Sequence, residues 1–246
     1  MDRLIYTAMT GANAAANRQA ILSHNLANAS TNGFRAQLET YRAVPLRGDG
    51  ATTRVFAVES SAGFSDKPGP ATRTGRNLDA MNMGNSYFAV QGLDGNEAYT
   101  RNGQFEVNPD GTLVSGNGLT MLSSDGSPIS VPQGAEIAIA NDGSISAKVG
   151  TQPANSIGRL KLATPTPDDP LKRGDDGLLH TLSGDPLPND DTAHIQVGVL
   201  EGSNVNTIET MVGMIQTARQ FEVQTRLMQT AESNDRSAGQ LLGMQG

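Results

Sequence analysis

Residues 94–126 read DGNEAYTRNGQFEVNPDGTLVSGNGLTMLSSDG, and this stretch decides the fold class of the middle of the chain. Five Asn-Gly or Asp-Gly pairs begin within it at intervals of 8, 8, 7 and 8 residues. These pairs supply the positive φ angles that two-residue hairpin turns require. Short runs of β-branched, aromatic and aliphatic residues lie between the pairs, so the stretch predicts an antiparallel β domain of short strands. The predicted strands, in that domain and after it, are 87–90, 98–100, 105–107, 113–114, 119–122, 129–131, 137–139, 145–147, 160–162 and 195–200.

The N-terminal part of the chain predicts a helix over residues 3–28. Small or apolar side chains recur there alternately every three and four residues, which is a heptad pattern. The positions of the pattern are Ile5, Ala8, Ala12, Ala15, Gln19, Leu22 and Leu26. Because several of them are alanine, the helix can approach a partner closely but buries little area per residue. The turn residues Ser30 to Gly33 end the helix.

The last 40 residues or so predict a second helix. Ser203, Asn204 and Asn206 offer side-chain oxygens that can cap its first turn. Its apolar stripe is Ile208, Met211, Ile215 and Ala218, with Met214, Phe221, Thr225 and Met228 beside it. The segments 45–76 and 163–193 are rich in Pro, Gly, Asp and Thr, and we expect loops or linkers there. Neither terminal helix is expected to be stable alone, so they must pack against each other, the β domain or other copies.

Composition and charge exclude several classes of protein. The 246 residues have a net charge of −7 and contain no Cys, which excludes zinc ribbons, iron–sulfur clusters, thiol catalysis and disulfide scaffolds. Acidic and basic residues balance in residues 1–33 and 207–246 together, so the negative charge lies in residues 34–206. An acidic middle argues against nucleic acid or an anionic membrane as a partner. Apolar runs are too short for a membrane span or a secretory signal, so neither is expected.

The sequence carries no constellation of residues typical of an enzyme. Its three histidines, His24, His180 and His194, show none of the spacings that bind zinc. A GxSxG nucleophile motif and a glycine-rich phosphate-binding motif are also missing. Adjacent acidic pairs lie among Pro, Gly or Asn, where carboxylates stay solvated. We therefore expect a protein that is not an enzyme, with no catalytic, metal-binding or cofactor-binding residues and no small-molecule substrate.

Two Asn-rich motifs stand at the junctions between the predicted helices and the β domain. Residues 23–34 read SHNLANASTNGF, and residues 202–206 read GSNVN. Asn25 and Asn28 can cap backbone groups or bond to a neighbouring helix. Each motif alone is compatible with an ordinary helix stop or helix start. The presence of both at the two junctions makes chance a poorer explanation.

These motifs resemble the signatures of the flagellar rod and hook protein family. SHNLANASTNGF is similar to the N-terminal signature of that family, and GSNVN followed by IETMVGMIQTARQFE is similar to its C-terminal signature. Residues 78–118, including the YTRNG run at 99–103, resemble the shared β domain of these proteins. His24 departs from the family pattern, which more often has a small residue or Asn there. The resemblance covers nearly all of the chain.

The resemblance implies an α+β fold in which discontinuous N- and C-terminal helices pair as a coiled-coil-like domain around a central antiparallel all-β domain. The implied divisions are a terminal helical assembly domain (residues 1–33 and 207–246), a connecting β and loop segment (34–76 and 190–206) and a central β domain (77–189). In this family the terminal helices pack between subunits and line the inside of a hollow rod, while the β domain lies outside.

The implied function is that of a structural subunit of the bacterial flagellar basal-body rod, in its proximal part. Such a subunit polymerises through its terminal helices into the hollow rod that transmits torque and passes exported subunits. The residues that we expect at the assembly interface are Ile5, Ala12, Leu22, Asn25, Leu26, Asn28, Thr31, Gly33, Phe34, Ser203, Asn204, Val205, Asn206, Met211, Ile215 and Phe221. Phe34 and Leu38 form an F-x-x-x-aliphatic pair that is similar to the export signal of the family.

The resemblance also implies partners and a location. The expected partners are copies of the chain, neighbouring rod proteins and the flagellar type III export apparatus, with no nucleic acid and no membrane insertion. The expected location is the rod in the periplasmic space, reached without a cleaved signal peptide. A distal rod paralogue is the alternative within the family. A peptidoglycan-binding or peptidoglycan-hydrolysing β-domain protein is a remoter alternative, because no catalytic constellation supports it.

Overall fold

The computed structural model describes residues 2–45, 55–174 and 176–243. Among these residues, the chain order is one helix, sixteen strands and a second helix. The elements are α1 (Asp2–Ala27), β1 (Gln37–Pro45), β2 (Val55–Phe64), β3 (Ala71–Arg73), β4 (Ala80–Asn82), β5 (Tyr87–Gln91), β6 (Glu97–Thr100), β7 (Phe105–Val107), β8 (Leu113–Ser115), β9 (Ala135–Ile139), β10 (Ser144–Val149), β11 (Asn155–Arg159), β12 (Leu162–Ala163), β13 (Leu171–Arg173), β14 (Leu179–Thr181), β15 (Ile195–Val197), β16 (Val199–Glu201) and α2 (Thr207–Gly243). The α+β class expected from the sequence is confirmed.

The chain divides into two compact units. The helical unit comprises Met1–Ala29, Gln37–Gly63 and Val205–Gly246, and contains both helices and most of the two-stranded sheet β1–β2. The β unit comprises Ser30–Ala36 and Phe64–Asn204. No helix in the described ranges combines the length and the apolar character that a membrane crossing requires.

The helix α1 has the predicted extent and the predicted inner face. Ala8, Ala12 and Ala15 are at most 5% exposed, and the other heptad positions are half-buried. This face packs against α2. The alanines and Gly11 let the two helices approach closely, since a Cβ at Gly11 would lie 2.9 Å from the Gln224 side chain.

The helix α2 begins where predicted but presents a different face to α1. Asn206 caps it, because its Oδ1 accepts the N–H groups of Ile208 and Glu209 at 3.1 and 3.2 Å. The inner face carries Thr210 and Thr217, which are 8% and 2% exposed. Their hydroxyls donate to the carbonyls four residues earlier, so the methyl groups can pack against the small residues of α1 without an unpaired polar atom. The predicted apolar stripe, formed by Ile208, Met211, Ile215 and Ala218, is exposed.

The segment 45–76, expected to be a loop, is partly strand. It contains β2 and β3 among its described residues. The strand β2 pairs with β1, whose residues alternate between half-buried and exposed over most of its length. The Pro and Gly content of the segment concealed the apolar run Val-Phe-Ala-Val at residues 55–58. The prediction failed because composition over a wide window averages a short strand with its flanking turns.

The β unit is built from several small antiparallel sheets around an apolar core. The largest sheet has the order β12-β5-β6-β14-β13, and a three-stranded sheet has the order β11-β10-β9. Phe88 and Phe105 meet edge to face in the core, with ring centroids 5.1 Å apart. These two rings, together with Tyr87 and Tyr99, are at most 3% exposed, so the aromatic residues of the β unit belong to its core.

Several predicted strands differ from the observed ones. The hairpin β13–β14 lies within the segment 163–193, which was expected to be a loop. The runs 119–122 and 129–131 form only isolated bridges. The predicted strand 195–200 is split into β15 and β16 by Gly198, whose φ is 76°. Each difference arises from tertiary pairing that the local pattern does not contain.

Four of the five quoted Asn-Gly and Asp-Gly pairs place their glycine at positive φ, as predicted. These glycines are Gly95, Gly111, Gly118 and Gly126. The prediction is wrong for Asn102-Gly103, which is not such a turn. A Cβ at Gly103 would lie 1.6 Å from the carbonyl oxygen of Ala80, and the N–H of Ala80 donates to the Gly103 carbonyl at 2.9 Å. Glycine is needed here because two backbones touch.

Candidate functional site

The two Asn-rich motifs meet in the β unit, at a site that we call the junction (residues 33–36, 65–69, 101 and 201–204). The N–H of Gly33 donates to the carbonyl of Glu201 at 2.7 Å, and the N–H of Asn204 donates to the carbonyl of Phe34 at 3.2 Å. The N–H of Ala36 donates to the Asn204 side-chain oxygen at 2.6 Å. The N-terminal and C-terminal signatures therefore bind each other directly.

Asn204 ties a third segment to this pair. Its Nδ2 donates to the carbonyl of Ser65 at 3.1 Å and to that of Lys67 at 2.8 Å. The N–H of Ser65 donates to the carbonyl of Ala36 at 2.8 Å, which closes the arrangement. An Asn side chain supplies both a donor and an acceptor, so this one amide satisfies backbone groups of both neighbouring segments.

Glu201 is the charged centre of the junction and is 1% exposed. Its Oε1 lies 2.7 Å from an Arg35 guanidinium nitrogen and accepts the N–H of Gly69 at 3.0 Å. Its Oε2 lies 3.3 Å from an Arg101 nitrogen. Both arginines are themselves buried, at 1% and 3% exposure. The carboxylate thus joins three segments that are distant in sequence.

The two arginines use their other donors on backbone carbonyls. Arg35 donates to Asp66 at 2.8 Å and also to Lys67, while Arg101 donates to Gly84 at 2.6 Å. Burial lowers the pKa of the Arg35 guanidinium, although Glu201 opposes this effect. Two buried cations share one buried carboxylate, so loss of Glu201 would leave both without their counter-charge.

Phe34 is buried within the junction. Its ring lies 4.5 Å below the Arg173 guanidinium, a cation–π contact, and Arg173 also donates to the carbonyl of Arg35 at 3.0 Å. Gly33, just before it, has φ of 71°, and a Cβ there would lie 2.3 Å from the backbone of Arg101. Only glycine fits this position, which explains the Asn-Gly-Phe sequence at the end of the first motif.

In the helical unit, the motif asparagines bind the backbone of their own chain. The Asn25 side chain accepts the N–H of Gln37 at 2.8 Å and donates to its carbonyl at 2.9 Å. Its amide therefore bonds to both backbone groups of this β1 residue. Asn28 donates to the carbonyl of His24 at 2.9 Å. Tyr41 of β1 donates to the carbonyl of Ala14 at 3.1 Å. The bonds of Asn25 and Tyr41 hold β1 against α1, whereas the bond of Asn28 lies at the end of α1.

The helical unit also exposes an apolar surface on α2, which we call the exposed stripe (Ile208, Met211, Val212 and Ile215). Their side chains are 73%, 51%, 49% and 57% exposed. At about 100° per residue, the four positions lie within about 100° of one another, on the side of α2 opposite Thr210 and Thr217. An apolar face of this size on a folded chain marks a surface for association.

The remaining expected interface residues are spread over both units. Ile5, Leu22 and Leu26 are half-buried on α1, and Ala12 is buried there. Thr31 and Val205 are half-buried, Ser203 is buried, and Leu38 is 51% exposed. Phe221 is 44% exposed and lies about 120° around α2 from Ile215. The structure therefore gathers Gly33, Phe34 and Asn204 in the junction, and leaves Met211 and Ile215 in the exposed stripe.

The acidic residues of the loops have the environment of solvated anions. Hydrogen bonds from Ser183 lower the pKa of Asp169, and those from Thr164 and Thr192 lower the pKa of Asp190. A carboxyl with a lowered pKa is a poor general acid near neutral pH. Among the described residues no group of three His, Asp or Glu side chains is arranged to hold a metal ion.

The charged residues of the junction were not predicted from the sequence to be functional. Arg35 follows directly after the first motif, Arg101 lies inside YTRNG, and Glu201 directly precedes GSNVN. Their position beside or within the motifs was a usable signal. Their convergence could not be derived, because the three residues are 66 and 100 positions apart.

Comparison with protein families supports the resemblance of all three regions. The model "Flagella basal body rod protein" matches residues 5–35, and "Flagellar hook protein FlgE/F/G D1 domain" matches residues 82–147. The model "Flagellar basal body rod FlgEFG protein C-terminal" matches residues 196–241. The first and third matches contain the two motifs that meet in the junction.

Whole-chain comparison gives relatives of nearly equal length. The flagellar basal-body rod protein FlgF of Escherichia coli (strain K12) is 44% identical, over 99% of this chain and 100% of that protein. FlgF of Salmonella typhimurium is 43% identical over the same shares. The rod protein FlgG of Buchnera aphidicola subsp. Baizongia pistaciae is 30% identical over 93% of this chain and 95% of its own length. The chain belongs to the flagellar basal-body rod protein family and resembles these FlgF proteins more than this FlgG protein.

Proposed function

We propose that the chain is a subunit of the proximal rod of the flagellum and polymerises through its terminal helices into the hollow rod that transmits torque and passes exported subunits. Its relatives are structural rod proteins, so the chain is a structural protein and not an enzyme. The observation that carries the assembly proposal is the exposed stripe of α2. This stripe is apolar, continuous over two helical turns and turned away from α1.

The stripe has enough free area to drive association. Fully burying one Ile, Met or Val side chain contributes about 1.5–3 kcal/mol, and these four are half to three-quarters exposed. Covering them would contribute on the order of 3–7 kcal/mol before the costs of association. We propose that the stripe meets a different surface on the next subunit, because a heterologous contact continues as a helix rather than closing as a dimer.

The helices fit a role in which ordering accompanies docking. Among the described residues of α1 and α2, the fully buried ones are Ala8, Ala12, Ala15, Asn25, Thr210, Thr217 and Ala231, so the helix pair buries little apolar area. We propose that the pair is marginal in the free subunit and becomes a coiled-coil-like domain only between neighbours. Such coupling costs entropy at docking but suppresses polymerisation before the subunit reaches its place.

The finer organisation follows from the same reading. We propose an assembly domain at residues 1–33 and 207–246, a connecting segment at 34–76 and 190–206, and a central β domain at 77–189. The interface would use the sixteen residues named from the sequence, those of the junction acting by binding the two chain segments next to the helices to each other. The partners would be copies of the chain and neighbouring rod proteins.

Export and location are part of the same proposal. The subunit would pass through the flagellar type III export apparatus, with Phe34 and Leu38 as the export signal, and take its place in the rod within the periplasmic space. Phe34 is 6% exposed in the folded β unit. Recognition of this signal would therefore have to occur before the β unit folds.

A pair of matched variants tests the role of the stripe. Ile215→Asp places a charge in the middle of the stripe, whereas Gln220→Asp places the same charge at another exposed position of α2. Each variant is expressed in a strain that lacks the gene, and swimming in soft agar is measured. We expect Ile215→Asp to abolish swimming and Gln220→Asp to preserve it.

Circular dichroism of both purified variants provides the folding control. Wild-type swimming by Ile215→Asp would contradict the assignment of the stripe. A distal rod role is the second candidate, since a FlgG relative matches 93% of the chain. The remoter reading, action on peptidoglycan, would be revived by release of fragments when the pure protein is incubated with peptidoglycan.

A further inference from the structure

The β unit contains a cavity of about 560 Å³ that takes no part in the junction. Its wall comes from the β5–β6 hairpin, the turn that contains Ser124 to Gly126, and the segment around Pro186 and Pro188. This volume lies within the range of pockets that bind small ligands or peptide side chains.

A buried ion pair lines the cavity. The Lys161 ammonium lies 2.8 Å from the Glu97 carboxylate, and both side chains are 8% exposed. Glu97 also accepts the hydroxyl proton of Tyr99 at 2.7 Å, and the Tyr99 oxygen accepts the N–H of Leu187 at 2.6 Å. An ammonium has three N–H donors, and a single carboxylate can take at most two of them. At least one donor of Lys161 is therefore available to an acceptor that enters the cavity.

The rest of the lining is mostly neutral. Amide and hydroxyl side chains and three prolines make up most of it; these residues are Gln91, Asn96, Asn189, Ser124, Pro128, Pro186 and Pro188. The Asn96 amide already donates to Asp94, and the Asn189 amide is bonded to Leu162 and Asp191. Asp125 adds an exposed carboxylate, so the charged lining residues, Glu97, Asp125 and Lys161, sum to one net negative charge. A phosphate or another polyanion is poorly suited to this surface.

The surroundings favour a peptide over a sugar. Leu93 is 86% exposed and lies in the β5–β6 hairpin loop, between the lining residues Gln91 and Gly95. Among the described residues that line the cavity there is no aromatic ring on which a sugar could stack. The Lys161 ammonium instead matches a backbone carbonyl of an extended peptide, and the prolines and the exposed Leu93 match its apolar side chains.

We propose that this cavity binds an extended peptide segment of a partner protein, with a backbone carbonyl on Lys161, an apolar side chain against the prolines and a basic side chain at Asp125. The site goes beyond the proposed polymerisation, because it lies wholly in the β unit and uses none of the helical residues. It would give a rod subunit a second binding surface, distinct from the exposed stripe.

The test uses the full chain and defined probes. The peptides acetyl-Gly-Leu-Gly-Lys-Gly-amide and acetyl-Gly-Leu-Gly-Glu-Gly-amide, and a trimer of N-acetylglucosamine, are titrated separately into isotopically labelled protein. NMR shifts of the Gly95, Ser124 and Gly126 amides report binding. We expect saturable shifts with both peptides, and binding of the Lys peptide about fivefold tighter than that of the Glu peptide, as expected of an exposed ion pair.

Charge reversal supplies the matched control. Asp125→Lys should reverse the preference between the two peptides, while Asp110→Lys, at an exposed Asp-Gly turn outside the cavity, should leave it unchanged. The double variant Lys161→Met/Glu97→Gln removes the buried pair without leaving one charge alone, and should weaken both peptides. Shifts produced by the sugar trimer and not by the peptides would overturn the proposal in favour of a glycan site. Absence of shifts with all three probes at millimolar concentration would also overturn it.

Discussion

Replacing Glu201 with Gln removes the charge at the centre of the junction while keeping the shape of the side chain. The wild-type carboxylate faces Arg35 at 2.7 Å, Arg101 at 3.3 Å and the Gly69 N–H at 3.0 Å. All three groups are donors. An amide can serve them with one oxygen only, and its NH2 group then points at a guanidinium, donor against donor.

The expected cost follows from burial. Removing one partner of a buried, hydrogen-bonded ion pair typically costs about 3–5 kcal/mol, because a desolvated charge is left alone. Here one carboxylate serves two cations, each at most 3% exposed, so we expect the upper part of that range. A domain of this size is stable by about 5–15 kcal/mol. Glu201→Gln should therefore remove a third or more of the stability of the β unit.

Two measurements test this loss of stability. Urea unfolding followed by circular dichroism gives the free energy of unfolding, and hydrogen exchange at Gly33 and Gly69 reports the junction itself, since both amides donate to Glu201. Both amides should lose protection in the variant. The control is Glu136→Gln, which makes the same chemical change at an exposed position of β9 and should leave stability within about 0.5 kcal/mol. A loss of less than about 1 kcal/mol in Glu201→Gln would refute the reasoning.

Two further predictions concern the backbone and the response to acid. Gly33→Ala should destabilise the chain by at least about 2 kcal/mol more than Gly95→Ala. Both glycines have positive φ, but only at Gly33 would a Cβ overlap backbone, that of Arg101. Equal losses of unfolding free energy in urea would contradict a cost from this overlap. The pKa of Asp190 is lowered by bonds from Thr164 and Thr192, so its contribution to stability is complete above the unfolded value of about 3.9 and is lost as the pH falls through the lower folded value. Asp190→Asn should therefore make the free energy of unfolding fall less steeply below about pH 4. The same pH dependence in the variant and the wild type would argue against this contribution.

Local patterns were sufficient for the elements that local interactions determine. The heptad spacing gave the extent and inner face of α1, and the Asp-Gly pairs gave turns with glycine at positive φ. The cap of α2 was also readable, since Asn206 binds N–H groups two and three residues ahead. In each case the interacting groups are separated by only a few residues in the sequence.

Features that depend on contacts between residues distant in sequence could not be predicted from the sequence. The sequence predicts an apolar stripe on α2 but does not show which face of the helix meets α1. Thr210 and Thr217 are buried there, opposite the small buried residues of α1. The sequence predicts a turn at Gly103, whereas this glycine allows the Ala80 carbonyl to approach the backbone. Asn204 was recognised as part of a motif, but its bonds to Ser65 and Lys67 depend on a segment about 140 positions away.

The central claim is that the chain is a structural component of the rod, and electron microscopy of isolated basal bodies tests it most directly. The gene would be deleted, and basal bodies from the deletion strain would be compared with those from the same strain carrying the wild-type gene. The account predicts basal bodies that stop at the inner-membrane ring, without distal rod or hook, and that are restored by the wild-type gene. A complete rod and hook in the deletion strain would contradict it.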